Sequence, residues 1–177
     1  MVVRYAAPTE LTTICALHRE AFGIAEGDAI AELVEHLAHD PTATPHTSLV
    51  AEIEGTIVGH VLFTAIHIPP HTVQAQILAP LGVAPAQQRH GIGSALVRSG
   101  LTHLAAQGYD LVFVYGNPAY YNRFGFRPAT PHGLIAPYPI PSVHADAWMV
   151  QALHDEVIGR IQGTIQCATT LHQPHYW

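Results

Sequence analysis

One stretch limits the fold more than any other. Leu78-Ala-Pro-Leu-Gly-Val-Ala-Pro85 is an apolar run that ends in a polar loop, Ala86-Gln-Gln-Arg-His90, followed by Gly91-Ile-Gly93. Apolar residues then recur at Ile92, Leu96, Val97, Leu101, Leu104 and Ala105, a spacing close to helical. The order is strand, glycine loop, helix. A helix start presents unpaired backbone N–H groups and the positive end of the helix dipole, so it suits a phosphate or pyrophosphate. Gly91 and Gly93 carry no Cβ, which lets the backbone come close to a bulky anion. The helix, about Gly91 to Gln107, leads to the β-rich run Leu111-Val-Phe-Val-Tyr115, so the two strands and the helix form a βαβ crossover.

Two common phosphate loops do not fit. The P-loop needs a lysine, and all seven basic residues are arginine. The dinucleotide fingerprint needs a third glycine where Leu96 stands. What remains is Gln88-x-x-Gly91-x-Gly93, preceded by Leu81-Gly-Val83. Downstream, the 111–115 strand is followed by Gly116-Asn-Pro-Ala-Tyr-Tyr-Asn-Arg-Phe-Gly-Phe126. The two motifs, in this order and at this distance, resemble the GNAT superfamily of acyl-CoA N-acyltransferases, most closely its YhbS-like branch. The resemblance runs from about Val2 to Pro128 and is strongest over 78–128.

It implies an α/β (α+β) GNAT fold. The expected sheet is mixed and mostly antiparallel, with about six or seven strands, splayed between the fourth and fifth and flanked by about four helices. Residues 1–177 are expected to form a single domain, with a core over 2–153 and a C-terminal extension over 154–177. Oligomers are frequent in the family, and a homodimer is one assembly open to this chain.

Composition narrows the class of function. Hydrophobic residues make up 49% and charged residues 11% of the chain, which argues against disorder. The net charge of −6 argues against a nucleic-acid partner, which would need a basic face. No apolar run is long enough to suggest a membrane span, and the start of the chain does not read as a signal peptide. The two cysteines, Cys15 and Cys167, form no C-x-x-C pair, which fits a cytoplasmic location. Fourteen histidines include the i, i+3 pairs His36/His39 and His172/His175. Neither pair brings a third ligand, and no metal site is expected.

Along the chain, Val2–Ala6 reads as the first strand. A helix from Pro8 to Gly23 follows, then a second helix from Gly27 with Asp28 as its N-cap. Ser48–Ile53 and Thr56–Ile68 read as a hairpin joined at Glu54-Gly55. Gln74–Val83 is the fourth strand, and Pro80 and Gly82 inside it predict a bulge or splay. Phe126–Ala129 is expected as a sixth strand and His144–Leu153 as a seventh. Gly159–Trp177 either closes the substrate pocket or packs across the sheet.

The resemblance also implies a division of labour. Acetyl-CoA is the co-substrate and an amine the acceptor. The backbone N–H groups of Gln88, Arg89, His90, Gly91, Ile92, Gly93 and Ser94 would hold the pyrophosphate. Leu81 and Val83 would offer backbone groups to pantetheine and the thioester carbonyl. Asn117 would hydrogen-bond pantetheine or, equally, serve as a turn residue before Pro118. Tyr121 falls where the family places the tyrosine that protonates the leaving thiolate, with Tyr120 the runner-up, here assigned to the cofactor.

No general base stands out. Glu20, Glu52, His60 and His67 are candidates, none distinctive, which leaves proton removal through water. The net charge favours cationic acceptors by long-range attraction, and the residues shaping the acceptor pocket are expected in 23–47 and after Pro128. Two other readings are open at this point: an acetyl-CoA sensor of the same fold without turnover, and a partner domain whose glycine loop is only a turn.

Overall fold

The computed structural model describes residues 1–154 and 157–177. The chain runs β1 (Val2–Tyr5), α1 (Leu11–His39), β2 (Thr47–Ile53), β3 (Thr56–Ile68), β4 (His71–Val83), α2 (Ile92–Ala106), β5 (Leu111–Tyr115) and α3 (Pro118–Tyr121). It continues with β6 (Arg127–Pro128), β7 (Leu134–Ile135), β8 (Trp148–Ala152), β9 (Gly163–Thr164) and β10 (Gln166–Cys167). The main sheet has the order β1-β2-β3-β4-β5-β8-β6, with β10 paired to β3, and β7 and β9 form a separate small sheet. In the main sheet only β4 and β5 are parallel. That pair is joined through α2, as the glycine-loop pattern requires.

The sheet is buried on both faces, and residue alternation assigns each face. Leu111 and Phe113 pack with Leu33 and Leu37 of α1, Trp148 and the C-terminal Leu171. Val112 and Val114 pack on the opposite face with Leu96, Val97 and Leu104 of α2, and with Tyr121 and Phe124. Phe113, Leu96 and Leu104 are fully buried. Burial of such a side chain stabilises the fold by about 1.5–3 kcal/mol.

The sheet parts where Pro80 and Gly82 interrupt β4. Pairing with β5 covers only Ala75–Leu78 against Leu111–Val114. Beyond Leu78, β4 continues to Val83 against β3 alone, with a bulge where Val61 faces Leu81 and Phe63 faces Leu78. A proline cannot donate to a ladder, so the strand leaves its neighbour there.

Several boundaries differ from the sequence reading. The two expected N-terminal helices form one element broken at Gly23, whose φ is 69°. Asp28 is therefore inside the second half and not at its N-cap; its carboxylate accepts from Arg19 Nε at 2.6 Å. Gly27 is buried against the first half, where a Cβ would collide with the Arg19 carbonyl. The sixth strand shrinks to Arg127–Pro128, and the expected seventh begins at Trp148 after a turn over 142–147. It inserts between β5 and β6. In the last segment β10 lies along β3, and Leu171 and Trp177 join the core beside Trp148. Among the described residues, no helix is long and apolar enough to cross a membrane.

Candidate active site

The glycine loop forms a cleft on one side of the parted sheet. Its floor is the end of β4. A turn over Pro85–Gln87 follows, and the Gln88 side chain donates back to the Val83 carbonyl at 3.1 Å. Arg89 (φ 63°) and Gly91 (φ 82°) are both left-handed, a conformation that glycine adopts freely and arginine does not. Gly91 is the N-cap of α2, whose ladder opens with Ala95 N–H donating to Gly91. The first-turn N–H groups of Ile92, Gly93 and Ser94 thus have no acceptor within the helix.

At Gly93 a Cβ would stand 2.7 Å from the Tyr120 hydroxyl, so the tip of that side chain would have to shift. The cleft encloses about 520 Å³ and is lined by Leu81, Val83, the loop from Gln87 to Ser94 other than His90, Tyr120 and Arg123. His90 is exposed outside that lining.

A second cavity, of about 370 Å³, opens on the other side of Leu81. Asn117 and Tyr121 reach it from the end of β5 and from α3, Ile30 and Leu33 from α1, and Tyr176 and Trp177 from the C-terminal segment. The turn role expected of Asn117 is seen directly. The residue caps α3, its Oδ1 accepting from Ala119 N–H at 2.9 Å, and it also faces the cavity.

The two adjacent tyrosines face different openings. Tyr120 lines the loop cleft, with the Arg123 guanidinium 4.8 Å from its ring centroid. Tyr121 lines the second cavity and is 9% exposed. Its ring packs edge-on to Tyr120 and Phe126. Burial, with a smaller effect from Tyr120, raises its phenol pKa well above the ordinary value. The group stays protonated at neutral pH, so it keeps an O–H to donate, although burial makes it a weaker acid than a free phenol.

Of the candidate bases, Glu52 is held by Arg4 at 2.6 Å, Glu20 and His67 are exposed, and none of the three lines either opening. His60 is 1% exposed, in a chain that sequence reasoning missed. Ser48 Oγ lies 2.9 Å from His60 Nε2, and His60 Nδ1 lies 2.8 Å from His18 Nε2. Burial lowers the His18 pKa to about 4 and that of His60 well below its ordinary value. The rings are a neutral pair, and His18 Nδ1 has no hydrogen-bond partner. It faces Gly82, where a Cβ would stand 2.6 Å away. The signal was legible in part: Ile14, Leu17 and His18 share the buried face of α1.

Arg123 was missed, though it carries a signal, since it follows Tyr120 by three residues and one helical turn brings the two together. Trp177 was expected only as part of Gly159–Trp177; it lines the second cavity and also packs on the core, and nothing in its neighbourhood pointed to β5. Among the described residues, no group of three or more His, Cys, Asp or Glu side chains comes together.

The acetyltransferase (GNAT) domain family matches residues 2–129. The chain belongs to this family. It is 40% identical over 164 residues to YjhQ of Escherichia coli K12, named an uncharacterized N-acetyltransferase, covering 90% of this chain and 88% of that protein. It is 34% identical over 167 residues to YhbS of the same strain, covering 94% and 95%. The solved structure of Escherichia coli YhbS in complex with CoA superposes with a TM-score of 0.86 at 31% identity, over 97% of this chain and 92% of that one. A GNAT acetyltransferase of Brucella melitensis in complex with acetyl-CoA gives a TM-score of 0.75 at 26% identity, over 96% and 97%. The sheet that parts after the fourth strand is thus the family fold, and the chain is an acyltransferase by membership.

Proposed function

We propose that this GNAT protein moves an acetyl group from acetyl-CoA to an amine nitrogen by direct attack on the thioester. One observation carries the reading: β4 leaves β5 after Leu78, and the gap lies between a cleft of backbone N–H groups and a cavity holding a protonated tyrosine. The residues present fit the coenzyme. The first turn of α2 is open and Gly93 has no side chain to block it, so Gln88 to Ser94 offer the pyrophosphate fixed dipoles. Arg89 and Arg123 add charge at the same cleft, and Tyr120 closes its wall.

Acetyl-CoA brings an activated acyl group, and the chain's own residues do the rest. Past the bulge, the backbone of Leu81 to Val83 is free of β5. It can lie along pantetheine and donate to the carbonyl oxygen as negative charge develops there. The Asn117 amide nitrogen is available to pantetheine from the opposite edge. Tyr121 holds its proton and gives it to the sulfur as the C–S bond breaks. The amine enters from the second cavity, on the far side of Leu81 from the loop.

We read residues 1–177 as one domain, because β10 pairs with β3 and Leu171 and Trp177 are part of the core. The two free cysteines suit a reducing cytoplasm. Calorimetry with acetyl-CoA, followed by thiol release over a panel of amines, tests the function. Binding with turnover is expected. Binding without thiol release from any amine would identify a sensor, and no binding would reduce the glycine loop to a turn.

A further inference from the structure

The second cavity carries a chemical statement about the acceptor. None of its sixteen lining residues is Asp, Glu, Arg or His, and the chain has no lysine. Its walls are aliphatic at Ile30 and Leu33 and aromatic at Phe22, Tyr115, Tyr176 and Trp177. Tyr115 and Trp177 stack with centroids 6.2 Å apart. The polar groups available are few: the Trp177 indole N–H is spent on the Leu171 carbonyl at 2.9 Å, and Asn117 Oδ1 on Ala119. Of the remaining side-chain groups, the Asn117 NH₂ and the Tyr121 hydroxyl are assigned above to the coenzyme, which leaves the Tyr115 and Tyr176 hydroxyls to the acceptor.

We infer that the acceptor is a primary amine with one charge on an apolar, aromatic body, the arylalkylamine class. The inference rests on the acetyl-transfer reading above and deepens it. An aromatic ring finds flat apolar walls here, and a single ammonium meets aromatic faces at the entrance, before it gives up its proton. A second ammonium finds no Asp or Glu side chain in the lining, and burying an unpaired charge is costly, which disfavours polyamines and aminoglycosides. A carboxylate on the acceptor meets no cation, which disfavours free amino acids. Glu32, exposed on α1, acts electrostatically on Tyr176 without lining the cavity, so it attracts an ammonium to the vicinity and does not pair with it inside.

The same lining accounts for the lack of a distinctive base. An apolar cavity disfavours the charged form of an amine and lowers its pKa. The ammonium loses one proton to water on entry. The neutral nitrogen then forms the N–C bond as the C–S bond breaks, and Tyr121 supplies the proton gained by sulfur. The nitrogen's second proton leaves through water and Tyr121 regains one from water, so a single proton is released overall.

The test is thiol release with acetyl-CoA and, separately, 2-phenylethylamine, tryptamine, spermidine, kanamycin and a glycyl peptide. The two arylalkylamines should exceed the others in kcat/KM by at least about tenfold, since each of the others would leave a further charge unpaired. Half-buried Ile30 offers a second arm: Ile30→Asp should lower kcat/KM for 2-phenylethylamine and raise the spermidine-to-phenylethylamine ratio about tenfold. Turnover led by spermidine, kanamycin or the peptide would overturn the inference and leave acetyl transfer standing. Acetyl-CoA binding with no thiol release from any amine would overturn both. If Ile30→Asp does not fold, the wild-type panel decides.

Discussion

The two openings on either side of Leu81 are built by different means. The loop cleft is drawn from one continuous stretch, 81–94, plus Tyr120 and Arg123 from one short helix and its end. The second cavity is drawn from both halves of α1, from β4, β5 and α3, and from the last residues of the chain. On the proposed reading, backbone dipoles of the loop would recognise a constant feature, the pyrophosphate, and would tolerate changes of side chain. The walls of the second cavity would recognise a variable feature, the acceptor, and would change with any of their segments. The two adjacent tyrosines show the contrast at its sharpest. Neighbours on one turn, they point about 100° apart, and each serves a different opening.

That contrast breaks most visibly at the tyrosines. Tyr121→Phe should lower kcat by about 10²-fold or more with acetyl-CoA affinity nearly unchanged, as expected for loss of a general acid. Tyr120→Phe should lower kcat far less and weaken acetyl-CoA binding instead. Steady-state kinetics beside calorimetry separates the two. A collapse of turnover in Tyr120→Phe with normal turnover in Tyr121→Phe would exchange their roles.

Next come the glycines of the loop. Gly93→Val drives a branched side chain at the Tyr120 hydroxyl and into the mouth of the first helical turn. Acetyl-CoA affinity should fall about 10- to 100-fold, the scale of losing hydrogen bonds to a charged group. Gly91→Val meets open space but carries φ 82°, where a β-branched residue is strained. It should therefore also lower the melting temperature, whereas Gly93→Val should act mainly on affinity. Near-native affinity in both variants would mean that the loop does not hold the pyrophosphate.

The sequence was legible where one local pattern determines one local shape. Gly91-Ile-Gly93 preceding an apolar helix specified the loop, and Pro80 and Gly82 within β4 marked where the sheet parts. Cavity walls were less legible, because Trp177 reaches Tyr115 only after β8, β9 and β10 have been laid down. The His18–His60 pair falls between these cases: each ring sits on a buried face, but α1 and β3 meet only in three dimensions. Asp28 misled for a related reason. An Asp after a Gly resembles a helix start, and the actual break lies at Gly23, four residues before Gly27.

Arginines at the loop cleft refine its backbone character. The purely backbone picture predicts modest salt dependence, with Arg89 the main exception. Arg123 now lines the same cleft. Arg89→Ala and Arg123→Ala should each weaken acetyl-CoA binding about two- to fivefold, as exposed ion pairs do, and each should flatten the salt dependence. Calorimetry from low to physiological salt checks this. A loss of about a hundredfold in either variant would make the site arginine-built.

The smallest effect on the chemistry is expected from the buried pair behind the wall that both openings share. His18 faces Gly82, between Leu81 and Val83, yet His18 lines neither opening. Its influence should appear in stability. A histidine whose folded pKa lies below its unfolded value binds more protons when unfolded, so stability rises with pH across that interval. The His18 contribution is complete above about pH 6.5 and is lost as the pH falls toward about 4. His60, lowered by burial and by His18, adds to the loss in the same direction. The shifted carboxylates act lower down: Glu10 and Asp40, both lowered to about 2, lose their contribution below about pH 4.5 and 3.8 respectively. Thermal melts between pH 7 and 4 should thus show a falling midpoint carried by the histidines. The double variant His18→Leu, His60→Leu replaces both partners with apolar groups, a change that can be nearly neutral. It should flatten that fall while leaving acetyl-CoA affinity at pH 7 within about twofold. A double variant with the wild-type pH slope would mean that the rings titrate as freely folded as unfolded. A large loss of affinity would instead make the pair part of the cofactor side.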